Sequence, residues 1–531
     1  MKTKLINGLI YDGNGGRPFH GEIAFEGDTI LAVGTKLDGE FDSVVDVGGK
    51  AVCPGFIDTH SHSDLRILVD AAIPSKIRQG ITTEVCGQDG VSMAPIPEEY
   101  SEKWRMSIAG LEGDDPSVAW NSSGAADYMS RIEANKPIAN YAYLCPHGNI
   151  RMEVMGIEAR PATEEELCRI EQVLRRELDA GAAGMSSGLI YIPCVYASTE
   201  EMIRLCKILK EYDRPFVVHQ RMEFNDIMTS MQELAAIVRG SGVHLHISHF
   251  KMGGRKNEPL RFEAFRLIEQ LKTEGYEISF DQYPYGAGST MLAACIPPWA
   301  HAGGTDKLLE RMRDPVERAK IKSDILNNDT VWDNHIEFCT PEGIVVSDVT
   351  KEENRKYLGK NIVQIGEMMG VDYVDAMLDL LLDENNIVGM IEHYGTEECI
   401  TAIMKRPEMN ACTDGLLGGK PHPRVYGAFP RILGKYSRED QLFPLETAIY
   451  KMTRKPAEAM RIADRGVLAP GKKADIVVFN PDTVIDVATY EDPRQYSVGI
   501  EYVFVNGIKV VEGSNVNDKA ASGQVIRAKR A

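Results

Sequence analysis

Residues 54–62 read Pro54-Gly55-Phe56-Ile57-Asp58-Thr59-His60-Ser61-His62. A short apolar run passes into a polar tip. A strand turns residues two apart to the same side, so His60 and His62 can approach one ion together. An isolated His-x-His can equally be a pair of hydrogen-bonded turn histidines, and what separates the two readings is how the other strands end.

From Val52 onward, apolar strands that finish in polar clusters alternate with helical periodicity. The strands are Cys53–His62, Thr82–Asp89, Ile138–His147, Ala182–Ser187, Pro215–Gln220, Val243–His249, Glu277–Tyr283 and Met409–Asp414. A βαβα succession implies a parallel sheet, and about eight such units close a barrel. The intervening helices have clear boundaries. Thr163–Ala180 opens with Thr163 as N-cap and Glu166 three residues later, carries Leu167, Ile170, Val173, Leu174 and Leu178 on one face, and stops at Gly181.

Both flanks are β-rich. Lys4–Ile10, Gly21–Phe25, Thr29–Val33 and Val44–Val47 precede the barrel; Ala474–Phe479, Tyr502–Val505 and Ile508–Val511 follow it, the last two joined by the hairpin signal Asn506-Gly507. The expected architecture is therefore α/β. A TIM-like (β/α)8 barrel spans residues 53–464, and a small β-sandwich is built from residues 1–52 and 465–531. Residues 286–344, with Pro297, Pro298, Trp299 and Gly303-Gly304, interrupt the rhythm between the seventh and eighth strands. An insertion there sits over the barrel mouth, where substrates are selected.

Two more imidazoles lie at strand ends. His219 closes Pro215–Val218 and His249 closes Val243–Ser248. Carboxyl ends of barrel strands converge on one face, where active sites are built. His244 and His246 form a second His-x-His, but His249, three residues past His246, falls on the opposite phase, so both are expected to be packing histidines. Neutral imidazoles neither offset a metal's charge nor accept a proton from water, so a carboxylate is needed as well. Asp414, in Thr413-Asp414-Gly415 at the eighth strand end, is the candidate general base, although Asp-Gly is also an ordinary turn pair.

Composition limits the partners. The 531 residues are 43% hydrophobic and 26% charged, the balance of a folded globular protein with a large core. The net charge of −19 repels nucleic acid phosphates and anionic lipid, leaving a small molecule as the expected partner. Met1–Gly13 is broken by Asn7, Gly8, Asp12 and Gly13 and holds no signal-peptide core, and no apolar stretch reaches membrane-spanning length. A cytoplasmic location, with the ten cysteines reduced, is the expectation. No feature of the sequence fixes an oligomeric state.

The chain resembles the amidohydrolase superfamily and, within it, the D-aminoacylase (N-acyl-D-amino-acid deacylase) family, over nearly its whole length. The markers are Pro54–His62, Gly80-Ile81-Thr82-Thr83-Glu84-Val85, Ser248-His249-Phe250-Lys251, Asp281-Gln282-Tyr283-Pro284-Tyr285, Thr413-Asp414-Gly415, His422-Pro423-Arg424-Val425-Tyr426-Gly427 and Gly466–Ile476. The family's cysteine ligand in Gly-Asn-Cys-Gly is matched here by Val85-Cys86-Gly87-Gln88-Asp89-Gly90. Alignment on the downstream Ser92-Met93-Ala94-Pro95 sets Asp89 in the ligand position, and Cys86 is the alternative. A carboxylate is a harder ligand than a thiolate and tolerates manganese or cobalt in place of zinc.

The resemblance implies one or two zinc ions. His219, His249 and Asp89 would hold the tighter one, and His60, His62 and Asp414 would border a second, weaker position. Asp414 would take the proton of the attacking water and pass it to the departing amine. Lys251 with Tyr283 would hold the amino acid carboxylate, with Ser289 and Arg424 as further substrate contacts. The loop Met291–Trp299 lacks the arginine of the acidic-substrate members, which points to an apolar side-chain pocket. The implied reaction is hydrolysis of N-acyl-D-amino acids with hydrophobic side chains. A D-residue dipeptidase is a neighbouring reading. A hydantoinase or dihydroorotase would share the barrel but carries a lysine at the fourth strand end, where this chain reads Gly184-Met185-Ser186-Ser187-Gly188. A non-catalytic scaffold is disfavoured because every ligand candidate is present.

Overall fold

The computed structural model describes residues 1–529. Its centre is a ring of parallel strands: β1 (Phe56–Asp58), β2 (Ile81–Cys86), β3 (Asn140–Tyr143, continued by Cys145–Pro146), β4 (Met185–Gly188), β5 (Phe216–His219), β6 (Leu245–Ile247), β7 (Ile278–Gln282) and β8 (Met409–Ala411). Each pairs in parallel with its successor. The ring closes at its carboxyl end, where Gly415–Leu416 pairs in parallel with Ser61–His62. Every residue of β1 to β8 is buried, which is why these segments read as apolar runs without alternation.

Helices clothe the ring with their apolar stripes inward. Glu164–Asp179 has the reciprocal cap its sequence announces: Glu166 N–H donates to Thr163 Oγ1 at 3.3 Å and Thr163 N–H to Glu166 Oε2 at 2.8 Å. No helix of the described residues is long and apolar enough to cross a membrane.

The terminal segments join into one nine-stranded sheet, with Ala51–Pro54 pairing antiparallel with Ile476–Phe479. The sheet folds over itself until Thr29 bridges Lys473, enclosing Leu5, Ile23, Phe25, Ile476 and Phe504. Asn506 and Gly507 turn the hairpin between Ile500–Val505 and Ile508–Glu512 with φ of 47° and 77°, as a type I′ turn requires.

The expected boundaries shift in three places. The first strand divides at Gly55, with Ala51–Pro54 in the terminal sheet and Phe56–Asp58 in the barrel. Gly55 allows the crossing because a Cβ there would meet Thr82 Oγ1 at 2.1 Å. Not all of the C-terminal segment stays with the sheet: Ile526 N–H donates to Tyr141 O at 2.7 Å and Ala528 N–H to Gly181 O at 2.9 Å, laying the tail against the barrel. The insertion is also longer than residues 286–344. Its first strand, Ala287–Met291, pairs with Val388–His393, which pairs in turn with Ile344–Val349. The partner strand lies far along the chain, where local periodicity carries no information about pairing.

Candidate metal centre

The carboxyl ends of β1, β2, β5, β6 and β8 deliver six side chains to one point. Asp89 follows β2 with a positive φ of 55°, and its carboxylate stands between four imidazoles. Its Oδ2 is 3.6 Å from His60 Nε2, 3.5 Å from His62 Nε2 and 3.9 Å from His219 Nδ1, and its Oδ1 is 3.6 Å from His249 Nε2. Asp414 faces the same rings, with Oδ1 at 3.6 Å from His60 Nε2 and 3.4 Å from His62 Nε2. Its φ of 47° and the bond from its N–H to His60 O at 2.8 Å hold it there.

The ring nitrogens meet face to face: His60 Nε2 and His62 Nε2 are 3.3 Å apart, and His219 Nδ1 and His249 Nε2 are 2.9 Å apart. Among the described residues, Asp89 Oδ1 has no hydrogen-bond partner although it is buried. Unpaired buried lone pairs aimed at one another are costly, and a divalent cation between them removes the cost. His60, Asp89 and His249 bring ligand atoms within 4.8 Å of one another, as do His60, His62 and Asp414, and His219, Glu223 and His249. The donor set therefore fits one or two metal ions. Cys86 is buried on β2 outside these groups, and burial pushes its thiol well up.

Electrostatics keep the carboxylates ionised. Burial raises Asp414, but Arg424, His60 and His62 outweigh it and hold the group well below the carboxylate range. Asp89 is likewise held low by His60, His249 and His62 against its burial. Burial, with help from His249 and Lys251, lowers His219 to about 3, so this imidazole is neutral and free to ligate.

A second layer orients the first. His62 Nδ1 donates to Glu112 Oε1 at 2.9 Å. Asp281 accepts from His249 N–H at 2.5 Å, Thr59 Oγ1 at 2.9 Å and His246 Nε2 at 2.9 Å. Beneath the site Lys76 Nζ donates to Asp58 Oδ2 and Ser61 Oγ, both at 2.8 Å, and lies 3.2 Å from Glu84. Asp58 Oδ1 accepts from Thr413 N–H at 2.8 Å, tying the β1 tip to the Asp414 loop. His244 and His246 both reach Ser279 Oγ, as packing histidines do.

The expected substrate contacts gather beside the centre. Arg424 Nη1 is 2.9 Å from Asp414 Oδ2, its guanidinium lies 4.4 Å from the Tyr283 ring centroid, and its Nη2 donates to Ser289 O at 3.1 Å. Ser289 presents its carbonyl to Arg424, because its hydroxyl is committed to Met390 O at 2.8 Å. Lys251 Nζ donates to Glu223 Oε2 at 2.6 Å and lies 2.8 Å from His249 Nδ1. Glu223 was not among the expected residues, although its place four residues after His219 is a helical-turn spacing that could have drawn notice. Glu112, Tyr191, His335 and Glu392 also escape a local reading, because they come from connecting segments and the insertion.

Two cavities open here. One of about 20 Å³ is lined by Asp89, His219, His249, Lys251, Tyr283 and Asp414. The other, of about 340 Å³, is walled chiefly by apolar groups including Ile108, Ile190, Met222, Met291, Ala293 and Ile296. Tyr191 and His335 line both.

A barrel whose strand tips collect imidazoles and carboxylates around one point is the frame of a metal-assisted hydrolase. The amidohydrolase family's sequence profile matches residues 43–511, and the chain belongs to that family. It is 32% identical to a D-aminoacylase of Alcaligenes xylosoxydans xylosoxydans, over 95% of this chain and 93% of the relative. Among solved structures it is similar to the N-acyl-D-glutamate deacylase of Bordetella bronchiseptica, complexed with zinc and a phosphonate mimic of the tetrahedral intermediate. That match has a TM-score of 0.84, 31% identity and 99% coverage of both chains. It is also similar to a D-aminoacylase structure concerned with a binuclear metal centre, with one-metal activation and second-metal attenuation (TM-score 0.83, 30% identity, 99% coverage of both chains).

Proposed function

We propose that this protein is a zinc-dependent amidohydrolase that cuts the linear amide of N-acyl-D-amino acids, releasing a carboxylate and a free D-amino acid. The observation that carries the reading is the position of Arg424, wedged between Asp414 and Tyr283. A fixed cation beside the reaction centre is what a substrate bearing a free α-carboxylate needs. The D configuration and the deacylase activity are supported by the relatives.

His219, His249 and Asp89 would hold one zinc ion, and His60, His62 and Asp414 would border a second. When bound there, zinc would supply Lewis acidity, the chemistry that brings the pKa of water to about 7 and polarises a carbonyl. Asp414 accepts a proton from the attacking water and delivers it to the leaving nitrogen. Arg424, Lys251 and Tyr283 fix the α-carboxylate, and the apolar walls of the larger cavity receive a hydrophobic side chain and exclude water. Tyr191, on the wall between the two cavities, borders the path of the scissile amide.

The test is a panel of N-acetyl-D- and N-acetyl-L-amino acids assayed on zinc-loaded and chelator-treated protein. Zinc-dependent release of D-leucine, D-methionine or D-phenylalanine is expected. Turnover of cyclic hydantoins but no linear amide would defeat the proposal.

A further inference from the structure

The small cavity beside the metal ligands meets the apolar cavity at His335, whose partner Glu392 lines the small one. His335, from the helix His335–Cys339, bonds through Nδ1 to Glu392 Oε2 on the strand Val388–His393. Both residues are buried, both line the small cavity, and His335 lines the large one as well.

Glu392 sits beside the residues proposed to hold the α-carboxylate. It pairs in register with Gly288, next to Ser289. A Cβ on Gly288 would meet Glu392 Oε1 at 2.9 Å and the Tyr283 hydroxyl at 3.3 Å, so the acid stands directly against this strand beside Tyr283. The carbon that carries a substrate's α-carboxylate also carries its side chain. A side chain on the carbon whose carboxylate is held as proposed above would leave past Glu392, with the acyl group across the scissile bond.

The surrounding charges are spoken for. Arg221, on the wall of the large cavity, is committed to Glu233 through two bonds of 2.9 Å. Burial lowers His301 to about 4, leaving it neutral. His335 is paired with Glu392. Asp333, also on the wall, is capped by the N–H groups of Glu223, Phe224 and Asn225 at 2.8 to 2.9 Å. A carboxylate bound for this cavity would pass Glu392 in the small one and meet Asp333 on the large one's wall, where Arg221 is already engaged with Glu233.

We propose that Glu392, held by His335, is the specificity determinant that turns away substrates with acidic side chains and reserves the large cavity for neutral ones. The inference rests on the functional reading above and adds the residue pair that enforces the choice.

The experiment compares kcat/KM for N-acetyl-D-glutamine and N-acetyl-D-glutamate, which share a shape and differ in charge. It uses the zinc-loaded native protein, Glu392→Gln and His335→Asn. The native protein should favour the glutamine substrate at least 30-fold, and Glu392→Gln should narrow that ratio at least tenfold by raising the rate on the glutamate substrate. His335→Asn should also narrow it. Near-equal rates in the native protein overturn the inference even if neither variant folds. So does an unmoved ratio in Glu392→Gln, or a change confined to N-succinyl against N-acetyl derivatives of D-leucine, which would place the acyl group there. If the native protein hydrolyses no N-acyl-D-amino acid at all, the functional reading falls and this inference falls with it. Hydrolysis with an unmoved ratio sinks the inference alone.

Discussion

Arg424 and Asp414 are bound to one another at 2.9 Å through Nη1 and Oδ2, both buried, at the edge of the histidine cluster. In the proposed reaction this guanidinium would aim the carboxylate that moves the proton and also face the substrate's α-carboxylate. Asp414→Asn keeps the shape and removes the base, so kcat should fall about 10²–10⁴-fold while the zinc proposed at His219, His249 and Asp89 is retained. Arg424→Met should raise KM about 10–100-fold, the worth of a charge-assisted bond, and lower kcat as Asp414 loses its orientation. A KM that does not move would remove Arg424 from carboxylate binding.

Asp89 and Cys86 are separated by metal analysis. Asp89 lies 3.5 to 3.9 Å from nitrogens of all four cluster histidines. Asp89→Ala should therefore release most of the bound zinc and abolish turnover. Cys86→Ala should keep full zinc occupancy and lose only packing, about 1 kcal/mol. Loss of zinc from the cysteine variant would reverse the assignment.

Lys76 is fully buried between Asp58 and Glu84, and its charge is stabilised by both against the pull of burial. Lys76→Met would leave two carboxylates buried without their cation. The expected cost is about 3–5 kcal/mol of unfolding free energy, measured by denaturant titration. A loss under 1 kcal/mol would show that the network relaxes by taking up protons.

Away from the metal, His147 Nε2 donates to Glu201 Oε1 at 2.8 Å, and Arg151 reaches the same carboxylate. Burial opposes the charge on His147, but Cys194 and Glu201 overcome it and raise its pKa from 6.5 to about 9. The folded value exceeds the unfolded one, so its stabilisation is complete below pH 6.5 and disappears as the pH rises through 9. The unfolding free energy should decline across that window. His147→Gln should flatten the decline, and an identical slope in the variant would refute the role.

The barrel and the cluster histidines were legible because a polar residue ending a buried apolar strand contradicts its own surroundings. Asp89, which stands among the four histidines, is reached from the sequence through its downstream neighbours Ser92–Pro95. Asp414 stood out because it ends the last strand. The orienting carboxylates were hidden for opposite reasons. Glu112 sits on the helix Ser101–Glu112 between β2 and β3 and looks like an ordinary solvated acid until His62 is placed against it. Glu392 and His335 lie in the insertion, where the pairing of Ala287–Met291 with Val388–His393 depends on register across about a hundred residues of chain. Asp281 opens the family marker Asp281–Tyr285, and its bond from the His249 N–H gives it a positioning role that the sequence does not show.

The seam between Ala51–Pro54 and Ile476–Phe479 sets a timetable for biogenesis. The opening strands leave the ribosome first, yet their neighbour is made only after the whole barrel has been translated. Until then their apolar faces stand uncovered, an invitation to holdase chaperones and to clumping under fast expression. Lowering growth temperature would favour recovery of correctly zipped molecules, and a chain cut short before Ile476 would present an open edge where the native protein has a closed one.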